Sequence, residues 1–210
     1  MKMEEVHEFF AHFERLNPTP ETELKYTNHF TLLLAVVLSA QATDKGVNKA
    51  TEALFKAVHK PQDILALGVD GLISYIKTIG LYPSKAKNII GLSERLVADF
   101  GGHVPMDRGA LESLPGVGRK TANVVLNVAF GQETFAVDTH IFRVCNRTGL
   151  AQGKTPRGVE DGLVAKVPKK FRKYAHHWLI LHGRYTCIAR KPKCDICVVS
   201  DLCQYGQKVV

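Results

Sequence analysis

The chain has 210 residues, 45% of them apolar, and carries a formal net charge of +8. Glu4, Glu5 and Glu8 stand where a secretory leader would be apolar, and the longest apolar run, Phe30 to Ala40, is too short to cross a bilayer. A protein neither secreted nor membrane-spanning, and cytoplasmic, is expected, so the five cysteines point to metal or redox chemistry rather than a disulfide framework.

Val6, Phe9, Phe10, Phe13 and Leu16 recur at helical spacing and predict an amphipathic first helix, stopped by Asn17-Pro18. Phe30 to Ser39 is apolar on every side and too long for an ordinary strand, which predicts a central buried helix. Gln41-Ala42-Thr43-Asp44 breaks it, and Asp44 is the expected cap of a helix from Lys45 to Val58. Short helices are expected over Asp63 to Leu67 and Gly71 to Thr78, and a longer one from Lys85 to Phe100, interrupted at Gly91. Strand alternation is nearly absent, so the fold class is all-α.

Leu111 to Ala122 reads as a short helix, a tight turn and a second helix running from Lys120 to about Phe130. Pro115 cannot extend the first helix, and Gly116 and Gly118 are expected to take backbone angles closed to other residues. They also leave free N–H groups at the start of the second helix, where amide donors and the helix dipole attract phosphate. The second helix is mostly apolar and therefore expected to be largely buried, with Lys120, Asn123 and Asn127 forming one polar stripe. A lysine in the first turn of such a helix is badly placed for the dipole, and its amine is expected to lose its proton more readily than usual. Gly80-Leu81 followed by Ala86 and Ile89 echoes Gly116-Val117 followed by Ala122 and Val125, which predicts a second hairpin with an exposed turn at Ile79 to Pro83.

Gly131 is the expected C-cap of the hairpin's second helix, and Asp138 the expected N-cap of a helix beginning at Thr139 or His140. From Gly162 to Cys194 there is no acidic residue, while Lys166, Lys169, Lys170, Arg172, Lys173, Arg184, Arg190, Lys191 and Lys193 all fall there. A surface of one sign suits nucleic-acid phosphate. Cys187, Cys194, Cys197 and Cys203 follow the spacing C-x6-C-x2-C-x5-C, a thiolate cage suited to zinc or to a four-iron cluster. All four positions being cysteine, no open site remains for substrate, and the cage is expected to fix a loop displaying Arg190, Lys191 and Lys193. Cys145 stands apart as a small core residue.

Leu38 to Asp44, the hairpin Leu114 to Lys120, Val137-Asp138-Thr139-His140, His182-Gly183-Arg184-Tyr185 and the four cysteines together resemble the endonuclease III family of DNA glycosylases. The resemblance covers essentially the whole chain. It implies two helical domains flanking a DNA-binding groove: a six-helix barrel with the helix-hairpin-helix over residues 22–132, and a second domain of residues 1–21 and 133–210 with a [4Fe-4S] cluster on Cys187, Cys194, Cys197 and Cys203. It implies a bifunctional glycosylase and AP lyase that removes oxidised pyrimidines and cuts 3′ to the abasic site through a lysine Schiff base. Lys120 corresponds to the nucleophile and Asp138 to the catalytic carboxylate, while Gln41 and Leu81 would fill the space left by the extruded nucleotide. Gly116, Gly118, Arg119, Arg143, Arg190, Lys191 and Lys193 are the remaining candidate DNA contacts. The implied partner is duplex DNA holding damaged pyrimidines or abasic sites, met by a monomer and without a membrane. A related adenine glycosylase would lack lysine at position 120, a purely DNA-binding hairpin would not need the pairing of Lys120 with Asp138, and an iron–sulfur electron carrier would call for a partner redox site that the sequence does not offer.

Overall fold

The computed structural model describes residues 1–205, and the last positions of the expected second domain, 206–210, lie outside the described residues. Ten α-helices and two 3-10 turns occur among the described residues, with no strand. The chain divides into two compact units. One is Thr22–Gly131, and the other joins Met1–Glu21 to the segment from Gln132 onward.

The first helix, α1 (Met3–Leu16), buries Val6, Phe9, Phe10 and Phe13. Leu16, expected on the same face, is 65% exposed, because the helix ends there and its last turn runs past the core. α1 packs in the discontinuous unit, where Phe10 stacks on Phe171 at 5.8 Å between ring centroids and lies 6.3 Å from Trp178.

The continuous unit is built around α2 (His29–Leu38), in which every residue from Phe30 to Leu38 is buried. A helix apolar all round has no solvent face and becomes the axis on which others pack. α3 (Asp44–Ala57) follows, and its N-cap is Thr43 rather than Asp44. The Thr43 hydroxyl accepts from the Gly46 N–H at 3.1 Å, and Asp44 lies inside the first turn, where a carboxylate suits the positive helix end. α4 (Pro61–Ile76) runs across a kink at Gly68 (φ 66°, ψ −179°), which explains why the sequence reads as two short helices.

α5 (Tyr82–Phe100) begins three residues before the sequence pattern suggested and passes through Gly91 unbroken. Gly91 marks a close approach: a Cβ there would lie 3.3 Å from the Pro115 side chain. α6 (Arg108–Glu112) and α7 (Arg119–Phe130) form the expected hairpin, and α7 ends on Gly131 in the left-handed region (φ 64°). In the other unit, α8 (Thr139–Thr148), α9 (Pro156–Lys166) and α10 (Lys169–Tyr185) surround a core that includes Val144, Leu163, Phe171 and Leu179. Among the described residues no helix is long and apolar enough to cross a membrane.

Candidate functional site

The hairpin turn is seated on α5. Gly116 takes φ +77°, and a Cβ on it would come within 2.8 Å of the Asn88 Cβ, so glycine is required twice over. Gly118 corrects the sequence reading. Its backbone is ordinary and extended (φ −93°, ψ 177°), and a Cβ would meet nothing within 4 Å. Its bareness keeps the way clear to the start of α7, whose N-cap offers no side-chain hydrogen bond to the first N–H groups. Lys120, the second residue of α7, is exposed, against the expectation of burial: the helix buries Ala122, Asn123, Val125, Leu126 and Asn127, a face that starts only after its first residues. Arg119 is half-buried and pairs loosely with Glu112 of α6 at 3.9 Å.

Three non-glycine residues among the described residues have positive φ: Gln41 (54°), Leu81 (61°) and Lys191 (54°). Each such backbone is held in place by its surroundings at a cost of order 1–3 kcal/mol, and such residues gather at functional sites. All three are among the candidate DNA contacts, and all three are exposed. Gln41 lies in the tight turn between α2 and α3, where Ala42 N–H donates to the Ser39 carbonyl at 3.1 Å. Leu81 is the N-cap of α5, in the exposed turn expected of the second hairpin, and its side chain is 57% exposed although apolar.

Asp138 caps α8 as expected, its Oδ1 accepting from His140 N–H at 2.9 Å and Ile141 N–H at 2.8 Å. Both bonds fall on one oxygen, so capping leaves the second carboxylate oxygen uncommitted to them. Two of the sequence motifs meet here: a Cβ on Gly183 of α10 would lie 2.8 Å from the His140 Cβ, so glycine lets α8 and α10 touch. Arg143 corrects another expectation. It turns inward, with Nε donating to the Cys187 carbonyl at 3.0 Å and Nη2 to the Gly183 carbonyl at 2.7 Å. It fastens the cysteine segment to α8.

One turn further along α8, Arg147 donates to the carbonyls of Ile188 at 2.8 Å and Ala189 at 2.9 Å, and lies 4.8 Å from the centre of the Tyr205 ring. The loop so anchored leaves Arg190, Lys191 and Lys193 exposed. Elsewhere the basic stretch is partly spent internally: Lys170 pairs with Glu14 at 2.8 Å and Arg172 with Glu133 at 3.6 Å. Cys187, Cys194, Cys197 and Cys203 line one small hollow, together with Arg147, His182 and Tyr205. His182 Nε2 is 3.8 Å from Cys197 Sγ, and Arg147 Nη1 is 3.7 Å from Cys187 Sγ. Burial pushes the Cys197 thiol up, and the neighbouring Cys203, Cys187 and Cys194 push it further. An ionised thiolate at Cys197 therefore calls for a compensating positive group beside it. Among the described residues no three metal-binding side chains converge closely enough to hold a single ion; what the four thiols share is the wall of one hollow. Cys145 is fully buried, its thiol pushed far up by desolvation, as suits a core residue.

Residues 34–169 match the family described as HhH-GPD superfamily base excision DNA repair protein, and residues 187–203 match the iron-sulfur binding domain of endonuclease III. Endonuclease III of Haemophilus influenzae is 62% identical over 202 residues, 96% of each chain. The chain belongs to the endonuclease III family. Endonuclease III of Escherichia coli is 59% identical over the same length and coverage. A solved endonuclease III trapped as a covalent intermediate with DNA superposes with a TM-score of 0.92 at 42% identity, covering 99% of this chain and 98% of that one. As a member of the endonuclease III family the chain is a base-excision DNA glycosylase with AP lyase activity, its partner is DNA, and its cofactor is a [4Fe-4S] cluster.

Proposed function

We propose that the chain removes oxidised pyrimidines such as thymine glycol from duplex DNA, working as a cytoplasmic monomer, and that Lys120 is the nucleophile. The observation that carries this reading is Lys120 itself: an exposed amine on the first turn of a helix whose N-terminus has no side-chain cap, beside a glycine that leaves the approach open. A base inside the stack is out of reach, so the damaged nucleotide is first swung out, at a cost of a few kcal/mol that damage lowers. Gln41 and Leu81 then occupy the vacated space. The Gly116 and Gly118 amides and the start of α7 hold phosphate near Lys120.

The unprotonated Lys120 amine attacks C1′ of the sugar, the C1′–N bond breaks, and the base leaves with the bonding electron pair. Only a neutral amine can do this, and an ordinary lysine is neutral about once in a few thousand at pH 7. Because Lys120 is exposed in the free protein, the cover that excludes water comes from the docked DNA. The sugar opens to a Schiff base on Nζ, and β-elimination breaks the strand on the 3′ side. Asp138 supplies negative charge to the developing cation on the sugar while Oδ1 stays fixed by the α8 amides. Cys187, Cys194, Cys197 and Cys203 would hold the [4Fe-4S] cluster, which would supply positive charge to balance the thiolates, and the four residues would keep the Arg190–Lys193 loop in shape for phosphate.

Lys120→Gln tests the assignment. The variant should still bind damaged duplex but lose base release and strand cleavage, and borohydride should trap no covalent adduct. An adduct formed by the variant would move the nucleophile to another residue.

A further inference from the structure

Lys85 is 5% exposed, and its Nζ donates to the Leu38 carbonyl at 3.0 Å. Leu38 is the last residue of α2, where the helical ladder runs out of N–H donors and a cation is favoured by the dipole. Lys85 belongs to the first turn of α5, where a cation is disfavoured, and burial pushes its amine down. A lysine so placed is a poor choice for stabilising α5. Its value lies in what it joins. Gln41 stands three residues beyond Leu38, in the turn that leaves α2, and Leu81 stands four residues before Lys85, its carbonyl accepting the Lys85 backbone N–H at 3.1 Å. The two turns that Lys85 connects hold the two positive-φ residues of the continuous unit other than glycine.

We propose that Lys85 is a positioning residue: by clamping the end of α2 to the start of α5 it fixes Gln41 and Leu81 relative to each other, so that they enter the emptied stack as one unit. This rests on the reading that Gln41 and Leu81 fill that space. Without the clamp each turn remains folded but the pair loses its common spacing, and extrusion from a duplex suffers while chemistry at Lys120 does not.

The test compares borohydride trapping on a duplex abasic site with trapping on the same strand without its partner, where no stack needs filling. Lys85→Met should lower the duplex rate at least tenfold relative to wild type, keep the single-stranded rate within twofold, and melt within a few degrees of wild type. Lys85→Arg, which retains the charged donor, should recover most of the duplex rate. Added to a Gln41→Ala/Leu81→Ala background, Lys85→Met should cost less than twofold further. Equal losses on both substrates, or full additivity in that background, would overturn the proposal by reducing Lys85 to a general stabiliser. If Gln41→Ala/Leu81→Ala leaves the duplex rate unchanged, the underlying reading falls and the proposal with it; if that pair is impaired and Lys85→Met is not, the proposal alone falls. Should Lys85→Met not fold, Lys85→Gln takes its place, keeping a donor but not the reach.

Discussion

Arg147 donates from the last turn of α8 to the Ile188 carbonyl at 2.8 Å, fixing the first residue after Cys187. The same guanidinium reaches Ala189, so one side chain holds both residues that lead into the basic loop. Hydrogen bonds from a charged donor contribute about 1.5–3 kcal/mol when their loss strands the acceptors. Arg147→Leu should therefore loosen the loop before it loosens the fold. Visible absorbance of the cluster should bleach faster under oxidant, and DNA affinity should fall by about tenfold or more while helical circular dichroism is retained. Unchanged bleaching would show that the cysteines hold the loop unaided.

Lys191 is held at φ 54° with its side chain exposed. If that strained backbone aims the amine at a phosphate, Lys191→Glu should weaken binding of every DNA sequence alike. The slope of log affinity against log salt should also become shallower by about 0.9 for each phosphate that is no longer neutralised. Titrations at several salt concentrations read this directly, and a wild-type slope would remove the residue from the interface.

Gly116 and Gly118 separate two effects that sequence alone merges. Gly116→Ala meets Asn88 and a positive φ, so it should destabilise the protein by about 1–3 kcal/mol and shift the turn. Gly118→Ala has open space and an ordinary backbone, and should melt within a degree or two of wild type. Any loss of DNA affinity in Gly118→Ala then reports crowding of the approach to α7. Thermal melts paired with binding curves decide it.

His177 is buried in α10, its Nδ1 has no hydrogen-bond partner among the described residues, and desolvation pushes it down to about 4. The unfolded chain takes up a proton near pH 6.5 that the folded chain refuses until about pH 4. Stability contributed by the neutral ring is therefore complete above pH 6.5 and is lost as pH falls through that window, by up to about 1.4 kcal/mol per pH unit. Urea unfolding at pH 7 and pH 5 should show His177→Leu losing about 2 kcal/mol less than wild type over that span. An equal loss would place the acid sensitivity elsewhere.

Asp138→Asn isolates charge from capping, since asparagine caps a helix about as well as aspartate. The variant should fold with α8 intact, bind damaged duplex, and release base at least a hundredfold more slowly in single-turnover assays. A nearly normal rate would leave Asp138 a cap and nothing more.

The sequence made α2, the α6–α7 hairpin and the cysteine cage legible because each rests on local pattern: unbroken apolarity, glycines at a turn, and fixed thiol spacing. What escaped it depends on residues far apart along the chain. Gly91 looks like a helix breaker until Pro115 is seen against it. Arg143 looks like a free cation until the carbonyls of Cys187 and Gly183 are found at its end. Lys85 is one lysine among many in the sequence, and only the position of the Leu38 carbonyl distinguishes it. Lys120 failed the other way: an apolar helix suggested burial, but the buried face begins after it. Of the candidate site, the positive-φ backbones of Gln41, Leu81 and Lys191 carried the least signal, since none is a residue type that favours such angles.

The discontinuous unit also sets a schedule for synthesis. The Trp178 indole N–H donates to the Asn17 carbonyl at 2.7 Å across a separation of 161 residues, and the aromatic face of α1 rests on the same part of α10. At roughly 5–20 residues per second, a ribosome takes on the order of ten to thirty seconds to supply that partner. Throughout that interval Phe9, Phe10 and Phe13 are without α10 to cover them, and Thr22–Gly131 is complete only for the last part of it. The nascent chain thus carries its sticky first helix bare until α10 is made, the state in which a holdase chaperone would find the most to hold.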